Sequence, residues 1–238
     1  MLSIIIPVLD EEKYLPLLLK SIKKQNLVQD YEVIVADAGS EDRTIEIAKS
    51  FGCRIIKGGL PAVGRNNGAI SAKGDLFLFL DADIVLSENF LENSLSEFGK
   101  RKLAVASYCL IPRTKNFIFK IGFDIFYNKP IFLAQRFLAH GAMGILVKKE
   151  IFDKLGGGFD ETIKLAEDQY FARMASKFGK FGIIKSAKIF ITLRRFEQDG
   201  YLKTIFKYIL CGFYLLFGKA FRSDALNYRF GHYSKKEK

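Results

Sequence analysis

Four short runs rich in Ile, Val and Phe punctuate the first eighty residues: LSIIIP (2–7), YEVIVA (31–36), CRIIK (53–57) and DLFLFL (75–80). Each is four to six residues long, and runs of that length and composition suit strands buried on both faces. Between the first two, Tyr14, Leu15, Leu18, Leu19 and Ile22 recur at helical spacing. Pro16 is compatible with a helix that starts near Lys13, because amides of the first turn have no intrahelical partner to lose. A second helix is expected from Glu41 or Asp42, after the turn residues Gly39 and Ser40, and a third over about 63–72. This strand–helix alternation predicts an α/β fold with a mainly parallel sheet flanked by helices. The second half is less regular. It suggests strands at 103–110 and 142–147, an aromatic stretch at 117–132, and a helix at 167–177.

Sheets of this kind bind ligands at the carboxyl ends of their strands. The residues that follow the four runs are therefore the candidate chemistry: Asp10 to Glu12, Asp37, Gly58 to Arg65, and Asp81 with Asp83. All are expected at one crevice. The stretch FLFLDADIVL places two carboxylates directly after a buried run, where like charges are costly unless cations or hydrogen-bond donors face them. Oxygen ligands at such a site suit Mg²⁺ or Mn²⁺; an N-cap with a solvated turn is the other reading of the same three residues. No GxGxxG follows a predicted strand. Gly59 to Gly64 has P-loop glycine spacing, but Arg65 and Asn66 follow where Lys and Ser/Thr are required, so both nucleotide motifs are excluded.

The chain has 238 residues, 49% of them hydrophobic, enough for one substantial core. Cys53, Cys109 and Cys211 are scattered in apolar surroundings, which argues against a zinc site or disulfide framework and for reduced thiols in a cytoplasmic setting. The N-terminus lacks a basic flank and reaches Pro7 and acids quickly, so it reads as a strand, not a signal peptide. The net charge of +11 is concentrated at one end: from Lys185 onward there are 12 basic residues against 4 acidic, while the first 184 residues hold 25 against 22. Such a patch implies a solvated surface or an anionic partner.

The segments SIIIPVLDEEKYLP, VIVADAGSEDRT, GRNNGAISAKGDLFLFLDAD and GGGFDETIKLAEDQYFARMASKFG occur in this order over roughly residues 2–180. Together they resemble the family 2 inverting nucleotide-diphospho-sugar glycosyltransferases. Asp10 stands where many members have Asn, and Ala38 where many have a second Asp. The resemblance implies a GT-A (Rossmann-like) fold and a hexosyltransferase-like enzyme of cell-envelope glycan biosynthesis that uses Mg²⁺ or Mn²⁺. By similarity, Pro7, Asp10 and Glu11 wall the nucleotide pocket and Asp37 accepts a hydrogen bond from the base; a turn cap is the alternative for Asp37. Arg65 approaches the diphosphate, Asp81 lies near ribose and metal, and Asp83 binds the metal. Glu167 and Asp168 match the family's ED pair, with Asp168 as the base that takes the acceptor's proton. His140 is a candidate acceptor contact, and Arg194 and Arg195 are candidate contacts to a donor or lipid phosphate.

At the C-terminal end, Tyr201, Leu202, Ile205, Phe206, Ile209, Leu210, Phe213, Tyr214 and Phe217 trace a helical stripe. Its uncharged run of eleven residues, 208–218, is too short to span a bilayer. Residues 1–195 are therefore expected to form the GT-A domain, and 196–238 a basic amphipathic helical tail that lies on an anionic membrane, joins a homo-oligomer or covers its own domain. The expectation is a peripheral enzyme at the inner face of the cell membrane, with a nucleotide-diphosphate sugar as donor and a glycan or lipid-linked acceptor. Two alternatives are transfer to a polyprenyl phosphate, which needs no base, and a non-catalytic nucleotide-sugar or membrane-binding module. Nucleic acid is not an expected partner, because the basic segment is interleaved with an apolar stripe.

Overall fold

The computed structural model describes residues 1–26, 29–163 and 165–200. In chain order these form β1 (Leu2–Val8), α1 (Leu15–Lys23), β2 (Tyr31–Asp37), α2 (Thr44–Ser50), β3 (Arg54–Lys57), α3 (Pro61–Ser71), β4 (Leu76–Leu80), β5 (Ile84–Leu86), α4 (Phe90–Lys100) and β6 (Val105–Pro112). There follow α5 (Phe117–Phe123), a π-helical turn (Asp124–Asn128), α6 (Lys129–Ala134), β7 (Gly144–Lys148), α7 (Lys149–Lys154), α8 (Glu167–Ala175), β8 (Phe181–Ile191) and α9 (Arg194–Asp199). The C-terminal stripe, Cys211 and the tail from 201 onward lie outside the described residues.

The strands form a single sheet in the order β3-β2-β1-β4-β7-β6-β8-β5. β1 is buried along its whole length and pairs in parallel with β2 and β4, while β2 pairs in parallel with β3 and β6 with β8. The β4–β7, β6–β7 and β5–β8 pairs are antiparallel, so the second half of the chain turns the sheet mixed. Alternate residues of β1 feed two cores. Leu2, Ile4, Ile6 and Val8 meet Leu15, Leu18, Leu19 and Ile22 of α1 on one face. On the other, Ile5 joins Phe77, Phe79, Phe152, Phe159 and Phe171, where the Phe159 and Phe171 rings stack with centroids 4.0 Å apart.

The first four strands match the apolar runs to within a residue or two. α2 starts at Thr44, later than expected; the Asp42 carboxylate before it accepts the Thr44 N–H at 2.9 Å in a local turn that competes with helix. α3 can lie close to β1 because Gly64 and Gly68 face Pro7 and Ile5; a methyl at 68 would collide with the Ile5 Cγ2. This close approach brings Arg65 to the carboxyl end of β1. From β4 in the middle of the sheet the chain crosses to β5 at its edge, and Asp81, Ala82 and Asp83 form that crossing.

Candidate active site

Five chain segments converge on one cavity of about 330 Å³. The end of β1 supplies Pro7 and Glu11, α3 supplies Arg65, the β4–β5 crossing supplies Asp81 and Asp83, the start of α8 supplies Glu167 and Asp168, and the end of β8 with α9 supplies Arg194. His140 and Ala142 close one side. Phe123, Phe126, Tyr127 and Ile131 give it an apolar wall.

Two arginines organise the carboxylates. Arg65 is 4% exposed and donates to Glu167 Oε1 at 2.6 Å and to Asp81 Oδ1 at 2.7 Å. Burial alone would lower the guanidinium's pKa, but Glu167, Asp81 and Asp168 hold it above its ordinary value, so it is a fixed cation. Arg194 donates to both oxygens of Glu11, at 3.1 and 2.7 Å, and places its Nε 3.0 Å from Asp83 Oδ2. The Thr192 hydroxyl donates to the same Asp83 oxygen at 3.3 Å.

Asp168 stands in the first turn of α8, beside Glu167. Burial and the adjacent Glu167 charge raise its carboxyl to about 7, against the opposing pull of Arg65. A carboxylic acid tuned to the working pH is what a general base requires. His140 is kept neutral by the same cause acting on a base: burial lowers its imidazole to about 4, and its Nε2 lies 3.0 Å from the Tyr127 hydroxyl. It is therefore available for a hydrogen bond but not as a cation.

Of the residues singled out in the sequence, Asp10 and Asp37 are not among those lining the cavity. Asp37 accepts the Gly39 and Ser40 N–H groups, at 2.9 and 3.1 Å to Oδ2, and the Ser40 hydroxyl at 2.5 Å. It therefore occupies the turn-cap position. Asp10, at φ 52°, accepts the Glu41 N–H at 2.8 Å and so ties the β1 loop to the β2 loop. Arg195 lies in α9, but its side chain is outside the described residues.

Other residues of the site were not foreseen. Asn66 exchanges hydrogen bonds with the Phe159 backbone, 2.8 Å in each direction, and donates to Glu161 at 2.9 Å. It clamps the GGGFDE turn against α3; its place beside Arg65 in GRNN was the available signal. Met143 (φ 53°) and Ala166 (φ 62°) line the cavity in left-handed backbone, a conformation costly for side-chain-bearing residues and found where a site dictates local geometry. Nothing in the sequence marks either.

Among the described residues no group of three or more His, Cys, Asp or Glu side chains is arranged to hold a metal. The donor set nevertheless fits a hard divalent cation that takes one or two carboxylates from the protein and its remaining oxygens from phosphate and water. Asp83, with Asp81 two residues away, offers those carboxylates, which are paired with Arg194 and Arg65 in this structure.

The Arg65 bridge yields a stability prediction. Arg65→Leu leaves Asp81 and Glu167 facing each other without a cation, and denaturant unfolding is expected to show a loss of roughly 3 kcal/mol. Arg65→Lys should recover only part of it, since one ammonium cannot reproduce the fork's two bonds. An unchanged unfolding midpoint in the leucine variant would remove Arg65 from this organising position.

Three comparisons bear on this geometry. The sequence pattern of "Glycosyl transferase family 2" matches residues 3–156. The 4,4'-diaponeurosporenoate glycosyltransferase of Staphylococcus haemolyticus is 35% identical over 111 residues, covering 42% of this chain and 29% of that protein. An uncharacterized glycosyltransferase of Haemophilus influenzae is 31% identical over 183 residues, covering 72% and 60%. Among solved structures, S. aureus TarS 1-349 in complex with UDP superposes with a TM-score of 0.65 at 20% identity, covering 83% of this chain and 62% of that one. A mannosyltransferase from Pyrobaculum calidifontis in complex with GDP-Man and Mn²⁺ gives 0.65 at 20%, covering 79% and 56%. These structural likenesses concern the fold, which is GT-A. The chain spans less than two thirds of the length of each of these four proteins.

Proposed function

The chain belongs to glycosyl transferase family 2, and from that premise we propose that it moves a sugar, with inversion, from a nucleotide-diphosphate donor to an acceptor hydroxyl. The observation that carries the proposal is the single cavity in which Asp83, Asp168, Arg65 and Arg194 meet from distant parts of the chain. UDP and GDP-Man with Mn²⁺ in the structural neighbours support a nucleotide-sugar donor and a divalent cation.

In this reading the donor diphosphate lies over the floor near Asp83. Arg65 and Arg194 bond the carboxylates of that floor through their guanidinium forks, and their fixed positive charge favours a phosphate held beside them. A divalent cation held by Asp83, with Asp81 beside it, would offset the charge that gathers on the departing diphosphate. Asp168 accepts the proton of the acceptor hydroxyl as that oxygen bonds to the anomeric carbon. The bond from that carbon to the diphosphate oxygen breaks on the opposite face, and the electron pair leaves with the diphosphate. Burial in the cavity keeps the reacting centre from bulk water. Glu167 fixes Arg65, and through it the arrangement of the floor.

Phe123, Phe126, Tyr127 and Ile131 give the same cavity an apolar lining, so we assign an acceptor with an apolar portion, as in a lipid-linked glycan. The test is a panel of nucleotide sugars with Mn²⁺, read as release of nucleoside diphosphate. One donor class should turn over, and only with the cation present. No release from any donor, together with no thermal stabilisation by any nucleoside diphosphate, would overturn the proposal.

A further inference from the structure

The apolar wall of the cavity has an outer side that nothing among the described residues covers. α5, the π-helical turn and α6 contain no buried residue. Their inner face, Phe123, Tyr127 and Ile131, lines the cavity at helical spacing. The outer face is also apolar: Ile118, Ile121 and Ile125 follow one helical stripe and Leu133 extends it, while Phe126 stands at the edge of the cavity with most of its ring exposed. Ile118 is 81% exposed, Phe126 84%, and Phe137, just beyond α6, 94%. Single exposed apolar residues are ordinary, but a contiguous patch of this kind marks an interaction surface. A helix apolar on both faces belongs inside a core or at a lipid interface.

The charges around the patch favour the second. Arg113, Lys115, Lys120, Lys129 and Arg136 are all exposed, against the single acid Asp124 in the same stretch. An occupant must therefore be anionic as well as apolar. The chain's own residues 201–238 do not meet that requirement, since they carry eight basic residues and two acidic ones. A second copy would bring the same basic rim against its like. An anionic bilayer meets both requirements: acyl chains for Phe and Ile, and headgroup phosphates for Lys and Arg.

We propose that the 117–137 segment docks the protein on an anionic lipid surface, with the outer faces of α5 and α6 at the level of the headgroups and the mouth of the cavity opening beside them. The orientation rests on the transfer site assigned above; the docking itself does not. Among the described residues no helix is long and apolar enough to cross a membrane, so this contact is interfacial.

The chain contains no tryptophan, so Phe137→Trp introduces a single reporter in the full chain. With vesicles of phosphatidylcholine containing phosphatidylglycerol, its emission should move to shorter wavelength and be quenched by brominated acyl chains. Pure phosphatidylcholine should have far less effect. In co-sedimentation, Ile118→Asp/Phe137→Asp should lower the apparent partition coefficient at least about tenfold, since two apolar side chains are withdrawn from lipid and two negative charges are brought to an anionic surface. The proposal is overturned if vesicles leave the emission unchanged, or if the double variant partitions like wild type, which would move docking to another segment. It is equally overturned if the emission is already shifted without lipid and does not respond further, as covering by residues 201–238 would produce. A shift that follows protein concentration and dimerisation in sedimentation velocity would assign the face to a second copy. Nucleoside diphosphate affinity of the same double variant reports on the cavity separately, so loss of docking with retained binding leaves the transfer site standing.

Discussion

Asp168→Asn should reduce turnover by about 10² to 10⁴, the range over which a positioned base accelerates proton transfer, while donor binding changes little. The same residue should set the pH profile. Burial and Glu167 raise the carboxyl to about 7, and only its ionised form can accept a proton. With wild-type enzyme, kcat/KM is therefore expected to rise with unit slope on a logarithmic plot below about pH 7 and to level off above it. In the asparagine variant that limb should vanish.

Stability should move in the opposite direction. The ordinary Asp value is 3.8, so between about 4 and 7 the folded protein binds a proton that the unfolded chain has released. Stability from this group is full below about pH 4 and is lost as the pH rises through about 7. Asparagine mimics the neutral acid, so at pH 8 the variant should unfold no earlier than wild type. Activity that survives Asp168→Asn with its pH limb intact would point to an acceptor already ionised, such as a lipid phosphate, or to another base.

Asp83→Ala carries the other large effect. Removing the carboxylate nearest the proposed cation site should lower turnover by about 10³, since Lewis-acid stabilisation of a leaving diphosphate is worth several kcal/mol and each 1.36 kcal/mol is a factor of ten. The fold should tolerate the change. Asp83 makes its described contacts with Thr192 and Arg194, and Arg194 keeps both bonds to Glu11 when Asp83 is gone. Turnover within a factor of two of wild type would dissociate Asp83 from the reaction.

The two halves of the chain differed in how much their sequence revealed. β1 to β4 were visible because strands covered on both faces become unbroken apolar runs. β8 was not visible. Lys185, Ser186 and Lys188 interrupt its apolar residues, and its register against β6 shifts between Tyr108 and Cys109, so neither a continuous run nor a clean alternation survives. β5 is three residues long and merges in sequence with the DxD segment.

The same distinction holds within the site. Glu11, Arg65, Asp81, Asp83, Glu167 and Asp168, singled out from their places near strand ends, at a helix start or within the quoted segments, all line the cavity. Asp10 and Asp37 stand in equally suggestive positions, yet their carboxylates are engaged by backbone N–H groups of neighbouring turns. The pairing of Arg194 with Glu11 spans 183 positions and had no local signal at all.

Calorimetric titration of a nucleoside diphosphate, with Mn²⁺ and with EDTA, into wild type and Asp83→Ala tests the proposed metal site most directly. Wild type should bind the nucleotide at least about tenfold more tightly with Mn²⁺, a coupling of roughly 1.4 kcal/mol or more, and Asp83→Ala should bind it equally with or without the ion. Identical coupling in the two proteins, or none in wild type, would contradict a nucleotide-sugar site built around Asp83.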